Sequence, residues 1–314
     1  KMKKSQFKQF LKEEIKSTLK SMDTEEFIDL VFYRPIGYLW AKLFEKLNVT
    51  PNAVSVASIF LGVAAGILFY FDDLRYTIPG ILLLIWANSF DSADGQLARM
   101  TGQYSRLGRV LDGVCGDIWF ITIYAAICLR LTPEYGIWIW VLGAAAGYFH
   151  SMQASMADYY RNFHLYFLKG KKGSELEDSS VLVARNNEIT WKSEPVEKFF
   201  MFFYVPYTQN QEKRTTKMQQ FRSTLRNVYG DQEIPQWLRD MFRAKSKPLM
   251  KYTNILSFNT RVIVLFISLL INIPWLYFVF ELTVLNILLV YMCTTHEKIC
   301  TETESIVLQK ENNV

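Results

Sequence analysis

Cysteine and histidine are scarce in this chain of 314 residues, which holds four of the first and three of the second. Cys115, Cys128, Cys293 and Cys300 lie in or beside apolar runs, without the short spacings of a thiolate metal site or a redox pair. Those two chemistries are excluded, and the cysteines read as small helix-packing residues. His150, His164 and His296 read likewise as buried packing residues. A cleavable leader pattern is also lacking. Lysines at 1, 3, 4, 8, 12, 16 and 20 leave no apolar core in residues 1–20, so the first span is expected to direct insertion.

What the chain has in quantity is apolar length. Half of it is hydrophobic and 15% is aromatic, concentrated in blocks near 52–71, 76–98, 107–131, 135–156, 258–280 and 282–295. Each reaches or approaches the roughly 20 residues that cross a hydrocarbon layer as helix. The fold class is therefore all-α, a polytopic membrane bundle of about six helices with amphipathic helices before it. Pro274 and Glu281 blur the boundary of the last two spans, since one breaks helical bonding and the other resists the bilayer core.

Five parts follow from this pattern: amphipathic segments over 1–49, four spans over 50–156, a basic insertion over 157–257, two spans over 258–295 and a tail over 296–314. Lysine at the start, Arg99, Arg106 and Arg109 between the second and third spans, and the basic end of the insertion all place one side in the cytoplasm. Both termini are expected there. Lysines recurring every fourth residue opposite Phe7, Phe10, Leu11, Ile15 and Leu19 suit a helix on an anionic leaflet or a solvated charged helix. A second amphipathic stretch, Phe27 to Leu47, leads to Thr50-Pro51-Asn52, where Thr50 caps the first span and Pro51 starts it.

The chemistry concentrates in Asn88 to Asp117, NSFDSADGQLARMTGQYSRLGRVLDGVCGD. Asp91 and Asp94 stand about one helical turn apart, and Ala98 and Arg99 follow on or near that face. In an antiparallel hairpin turning near Gly102, Asp112 on the next helix reaches the same depth, roughly 10 Å inside the membrane end. Each carboxylate in a span costs about 2.5–3.5 kcal/mol, so a cluster calls for a cation. All-oxygen ligation selects Mg²⁺ or Mn²⁺, and the charge suits two ions that clamp the two oxygens of a phosphoryl transfer.

These residues resemble the CDP-alcohol phosphotransferases, whose signature runs D-x-x-D-G-x-x-A-R, eight residues, then G-x-x-x-D-x-x-x-D. Asp91, Asp94, Gly95, Ala98, Arg99, Gly108 and Asp112 supply seven of its eight fixed positions at the correct spacing. The resemblance covers residues 30–157 and the last two spans. It implies transfer of a substituted phosphate from a CDP-alcohol to an alcohol acceptor, with release of CMP and two divalent ions. It also implies that Gly95, Ala98, Arg99 and Gly108 border the nucleotide, with Asn52 beside them.

The fourth acid of the signature belongs at 116, where this chain has Gly116 and then Asp117. A one-residue π-type turn at Gly113 to Gly116 is expected to bring Asp117 into the site as metal ligand and general base. The rival is a site of three aspartates using water or another base, or a catalytically idle relative. On the acceptor side, Arg161 and Arg261 are candidates for gripping a phosphate.

CDP-diacylglycerol with an inositol phosphate or related polyol is the expected substrate pair, ahead of CDP-choline or CDP-ethanolamine with a lipid alcohol. An intramembrane prenyltransferase would carry N-D-x-x-D twice, whereas here Asn88 stands three residues from Asp91 and no second copy occurs; an ion transporter would set its acids near the midplane. The expected partners are the two substrates, an anionic bilayer leaflet and a second copy of the chain, with no nucleic-acid polymer. Within the insertion, 17 Lys or Arg against 11 Asp or Glu make the segment basic, and Lys198 to Tyr207, KFFMFFYVPY, is too short to span and reads as an interfacial helix or a protein-docking surface.

Overall fold

A computed structural model describes residues 21–170, 176–230 and 232–311, apart from the side chains of Arg106, Arg109, Val110 and Asp112. The lysine-rich segment expected to be amphipathic, residues 1–20, lies outside them. Every regular element among the described residues is helical. The chain divides into two compact units, one of residues up to Tyr148 with Val262–Val279, the other of Phe149–Arg261 with Phe280–Val314.

In the first unit a π-helical turn, Asp29–Tyr33, leads into α1 (Arg34–Lys46). Helix α1 buries Gly37, Tyr38 and Ala41 and packs on α3 (Leu74–Thr101), where Trp40 and Phe44 meet the Phe90 ring edge to face. Helix α2 (Pro51–Leu68) starts as its sequence dictates: the Thr50 hydroxyl accepts the Ala53 N–H at 3.3 Å, and Pro51 occupies the first turn. Asp73 caps α3, and Gly102 ends it with φ 69°, a left-handed conformation that glycine adopts without a Cβ penalty. Ser105 then caps α4 (Arg106–Tyr135).

Helix α2 packs against both α3 and α4. It meets α4 tightly at Gly62, where a Cβ would enter the Trp119 indole; that ring's Nε1 donates to the Ser58 carbonyl at 3.1 Å. Small residues let helix backbones approach in a bilayer, where packing rather than hydrophobicity drives association. Gly62→Leu is therefore expected to lower stability by about 1–3 kcal/mol, the scale of overpacking, read as a fall in the thermal midpoint of detergent-solubilised protein. An unchanged midpoint would show that α2 and α4 do not touch there.

The boundary of the last two spans falls earlier than the sequence pattern predicts. Helix α11 (Phe258–Leu270) stops before Asn272, which has φ 59°, and Pro274; α12 (Trp275–Phe280) begins there. Glu281 is no boundary. It opens a π-helical turn, Glu281–Leu285, that continues α12 directly into α13 (Asn286–Glu311). Among the described residues, four stretches are long and apolar enough to cross a membrane: Pro51–Leu68, Gly113–Tyr135, Gln236–Leu270 and Trp275–Glu311. Helices α3 and α5 (Trp138–Lys169), read as spans two and four, have 28 and 32 residues, ample length, but polar side chains dilute them below that apolarity.

The second unit holds α6 (Ser179–Glu188), α7 (Pro195–Arg214), α8 (Thr216–Tyr229), α9 (Gln236–Ser246) and α10 (Met250–Ile255). Its core joins Tyr160, Phe163 and Phe167 to Phe221, Phe242, Leu289, Met292 and Val307; Phe167 and Phe242 stack at 4.0 Å. The insertion thus shares one core with the segment read as a tail. Beyond residue 295 the chain stays helical to Glu311, with Glu297 accepting the Lys217 N–H at 2.7 Å and Glu304 accepting the Thr224 hydroxyl at 2.6 Å.

Candidate active site

Asp91 and Asp94 lie in the last three turns of α3, and the local sequence explains how each is held. Asp94 is 4% exposed, and one of its partners is Ser55 of α2, whose hydroxyl faces Asp94 Oδ2. Asp91 is half-buried; its Oδ1 lies 2.7 Å from the Cys115 thiol of α4. Two neighbouring helices therefore each contribute a hydrogen-bonding group to one carboxylate of α3. Ser55 was not among the expected site residues, although a hydroxyl four residues after Pro51 in an otherwise apolar span is a readable signal.

Asn52, Ser105 and Gly108 form one cluster. Ser105 Oγ lies 2.8 Å from the Gly108 N–H and 2.9 Å from Asn52 Oδ1, so Asn52 is tied to the cap of α4. A Cβ on Gly108 would crowd Asn52 Oδ1 at 2.7 Å, which gives this glycine a packing reason. Gly95 differs. A Cβ there would meet only the tip of the Arg99 side chain, at 3.4 Å, an approach that a flexible guanidinium accommodates. Ala98 and Arg99 follow on α3, both half-buried.

Asp112 is in the second turn of α4, its side chain outside the described residues. Among the described residues no three His, Cys, Asp or Glu side chains converge as a metal cage.

The π-type turn expected at Gly113 to Gly116 is absent: α4 is α-helical from Arg106 to Tyr135. At 100° per residue, Asp117 stands about 140° from position 112 and about 160° from Trp119, which marks the face packed on α2. Asp117 is exposed. The two glycines did not induce a bulge because nothing presses on them; a Cβ at either Gly113 or Gly116 would meet no atom within 4 Å. Among the described residues the π turns occur at 29–33 and 281–285 instead.

In the second unit the two candidate acceptor arginines differ in their partners. Arg261, 1% exposed, donates to Glu281 at 2.7 Å, to Gln153 at 2.8 Å and to the Leu256 carbonyl. Its guanidinium is consumed inside the unit. Arg161 donates at 2.6 Å to the Ser257 hydroxyl and at 3.3 Å to Asn254, and no carboxylate pairs with it among the described residues. Its Nε is buried without a hydrogen-bond partner.

Residues 48–162 match the family model for CDP-alcohol phosphatidyltransferase. The chain contains this family's domain. The CDP-alcohol phosphatidyltransferase domain thus takes in α2 to α4 and most of α5, and with them Asn52, Asp91, Asp94, Asp112 and Arg161. With its four apolar helices, the chain is an integral membrane protein.

Three curated relatives also match part of the chain. Phosphatidylinositol phosphate synthase of Corynebacterium glutamicum is 33% identical over 95 residues, which cover 30% of this chain and 42% of the relative. The bifunctional IPC transferase and DIPP synthase of Aquifex aeolicus is 30% identical over 98 residues, 31% of this chain and 22% of its own. Archaetidylinositol phosphate synthase of Pyrococcus horikoshii is 31% identical over 88 residues, 28% of this chain and 45% of its own. The alignments thus span less than half the length of these relatives.

Proposed function

We propose that the protein transfers a substituted phosphate from a CDP-alcohol, with CDP-diacylglycerol as donor, to the hydroxyl of an inositol phosphate or related polyol phosphate, releasing CMP. The observation that carries this reading is the CDP-alcohol phosphatidyltransferase domain at 48–162, with the Asp91 and Asp94 carboxylates held on its α3. Two of the three relatives are named for inositol phosphate lipids, which supports the choice of acceptor.

Asp91, Asp94 and Asp112 would hold divalent metal, since carboxylate oxygens are the hard donors that Mg²⁺ and Mn²⁺ take and a buried acid such as Asp94 is stabilised as an anion by positive charge. Bound there, metal would neutralise the pyrophosphate of the donor. The acceptor oxygen attacks the β-phosphorus, the bond from that phosphorus to the bridging oxygen breaks, and CMP departs with the electron pair. The acceptor proton passes to water or to one of the three carboxylates, because α4 carries Asp117 round to its other side. Gly95, which the packing does not require, offers bare backbone to the nucleotide, and Arg99 one turn on offers charge. Arg161, whose described partners are neutral, suits the phosphate of the acceptor.

The test is CMP release by purified protein in lipid discs with Mg²⁺ or Mn²⁺. CDP-diacylglycerol is expected to give CMP only when a polyol phosphate is supplied. Release only from CDP-choline or CDP-ethanolamine with diacylglycerol would overturn this substrate pair, and no release from any pair would overturn the activity. Arg161→Ala is expected to raise KM for the phosphorylated acceptor about 10–100-fold, the equivalent of losing one charged hydrogen bond of ~1.5–3 kcal/mol, with KM for the CDP-alcohol unmoved. A parallel rise in both constants would remove Arg161 from the acceptor side. The lysine and arginine distribution supports an active site and C-terminus on the cytoplasmic face, which a reporter fused after Val314 would check.

A further inference from the structure

Helix α7 carries an apolar face that no described residue covers, and we propose that this face seats on the anionic headgroup layer of the bilayer, so that the α6–α7 pair is a membrane-surface anchor of the second unit. The inward face of α7 holds Glu197, Met201, Val205, Thr208 and Gln211, all buried. Leu182 and Ile189, in and just after α6, close a small core with Met201 and Val205. The outward face presents Val196, Phe199, Phe202, Phe203 and Pro206, all exposed, Phe202 at 65%. At 100° and 1.5 Å per residue these five cover an arc of about 120° and a length of about 15 Å, half the thickness of a hydrocarbon layer. The face can therefore lie on a bilayer but not cross one.

Charge selects the occupant. The carboxylates of the helix are spent inward: Glu197 pairs with Arg185 at 2.5 Å, while Glu212 accepts the Ser179 N–H at 2.9 Å and lies 3.8 Å from Arg222. Lys213 extends the aromatic stripe at its C-terminal end and Lys192 stands just before the helix, both exposed, with Trp191 56% exposed beside Lys192. An uncharged aromatic centre between lysines matches the boundary between acyl chains and anionic headgroups. The helix is also at the right depth: Gln211 Nε2 donates at 2.9 Å to the Ser155 carbonyl, where the apolar run of α5 gives way to Asp158 and Arg161.

Site-directed spin labelling of the full chain in lipid discs tests this. A label on Phe203→Cys in discs containing anionic lipid is expected to be relaxed several-fold more by oxygen than by an aqueous nickel chelate. A label on Asn187→Cys, exposed on α6, is expected to show the reverse, and mock-labelled wild type supplies the background from native cysteines. Nickel-dominated relaxation at 203 would overturn the proposal in favour of water or a soluble protein partner. Dipolar broadening that vanishes on dilution with unlabelled chain would overturn it in favour of a second copy. Lys192→Glu with Lys213→Glu is expected to return the 203 label to the aqueous phase; oxygen dominance that ignores both this change and the anionic lipid content would overturn the headgroup part.

Discussion

Asp94→Asn is expected to lower CMP release by at least about 10²–10³-fold, the scale on which loss of one charge-stabilising group acts, while leaving the thermal midpoint nearly in place. The side chain is 4% exposed, and asparagine keeps its volume and an oxygen for the Ser55 hydroxyl, so the change removes charge rather than packing. Asp91→Asn is expected to behave alike, with the oxygen facing Cys115 retained. In wild type, chelation of divalent metal should abolish CMP release and re-addition of Mg²⁺ or Mn²⁺ restore it. Asp117→Asn is the contrast: on an unbroken α4 this acid lies off the face that carries Cys115 and Trp119, and activity within about threefold of wild type is expected. Loss of activity in Asp117→Asn comparable to that in Asp94→Asn would restore the fourth acid to the site. Full activity in Asp94→Asn would remove the metal reading altogether.

The second large effect concerns stability. Glu281, 0% exposed, accepts from Arg261 at 2.7 Å, and the His150 ring lies 3.2 Å away. Glu281→Leu leaves the Arg261 charge buried without its counter-ion, which costs about 3–5 kcal/mol, and should show as a marked drop in the detergent thermal midpoint. Replacing both, Glu281→Leu with Arg261→Met, removes the stranded charge and should recover most of the loss. Equal destabilisation in the single and double variants would mean that the pair is not coupled. Because Arg261 is spent here, its removal is not expected to act selectively on the acceptor.

Much of the first unit is legible in the sequence because its signals are local. Thr50-Pro51 announces the start of α2, Gly102 the end of α3 and the three-residue spacing of Asp91 and Asp94 the shared face. The last spans were misjudged for a physical reason: an acidic residue in an apolar run reads as a boundary until its counter-ion is known, and Arg261 is brought to Glu281 only by folding. The insertion and tail looked separable because both are polar. Their polar groups face one another, Lys217 and Thr224 against Glu297 and Glu304, and composition holds no record of such pairing. Gly113 and Gly116 permit distortion without requiring it, so sequence alone could not settle the course of α4 around them.

The Ser105 cap also acts as a register lock. One hydroxyl stands between the Gly108 N–H and Asn52 Oδ1, so the first turn of α4 is fastened to the first turn of α2. Helix α4 cannot slide along its axis by a residue without giving up both partners. Every position downstream is then indexed from that knot: Cys115 reaches Asp91, Trp119 reaches Ser58, and an acid that shifts by one place along the chain stays shifted in space. Length changes before the knot, in residues 102–104, would be absorbed as loop. The same change after it would rotate the rest of α4 by about 100° and dismantle the face it shares with its neighbours.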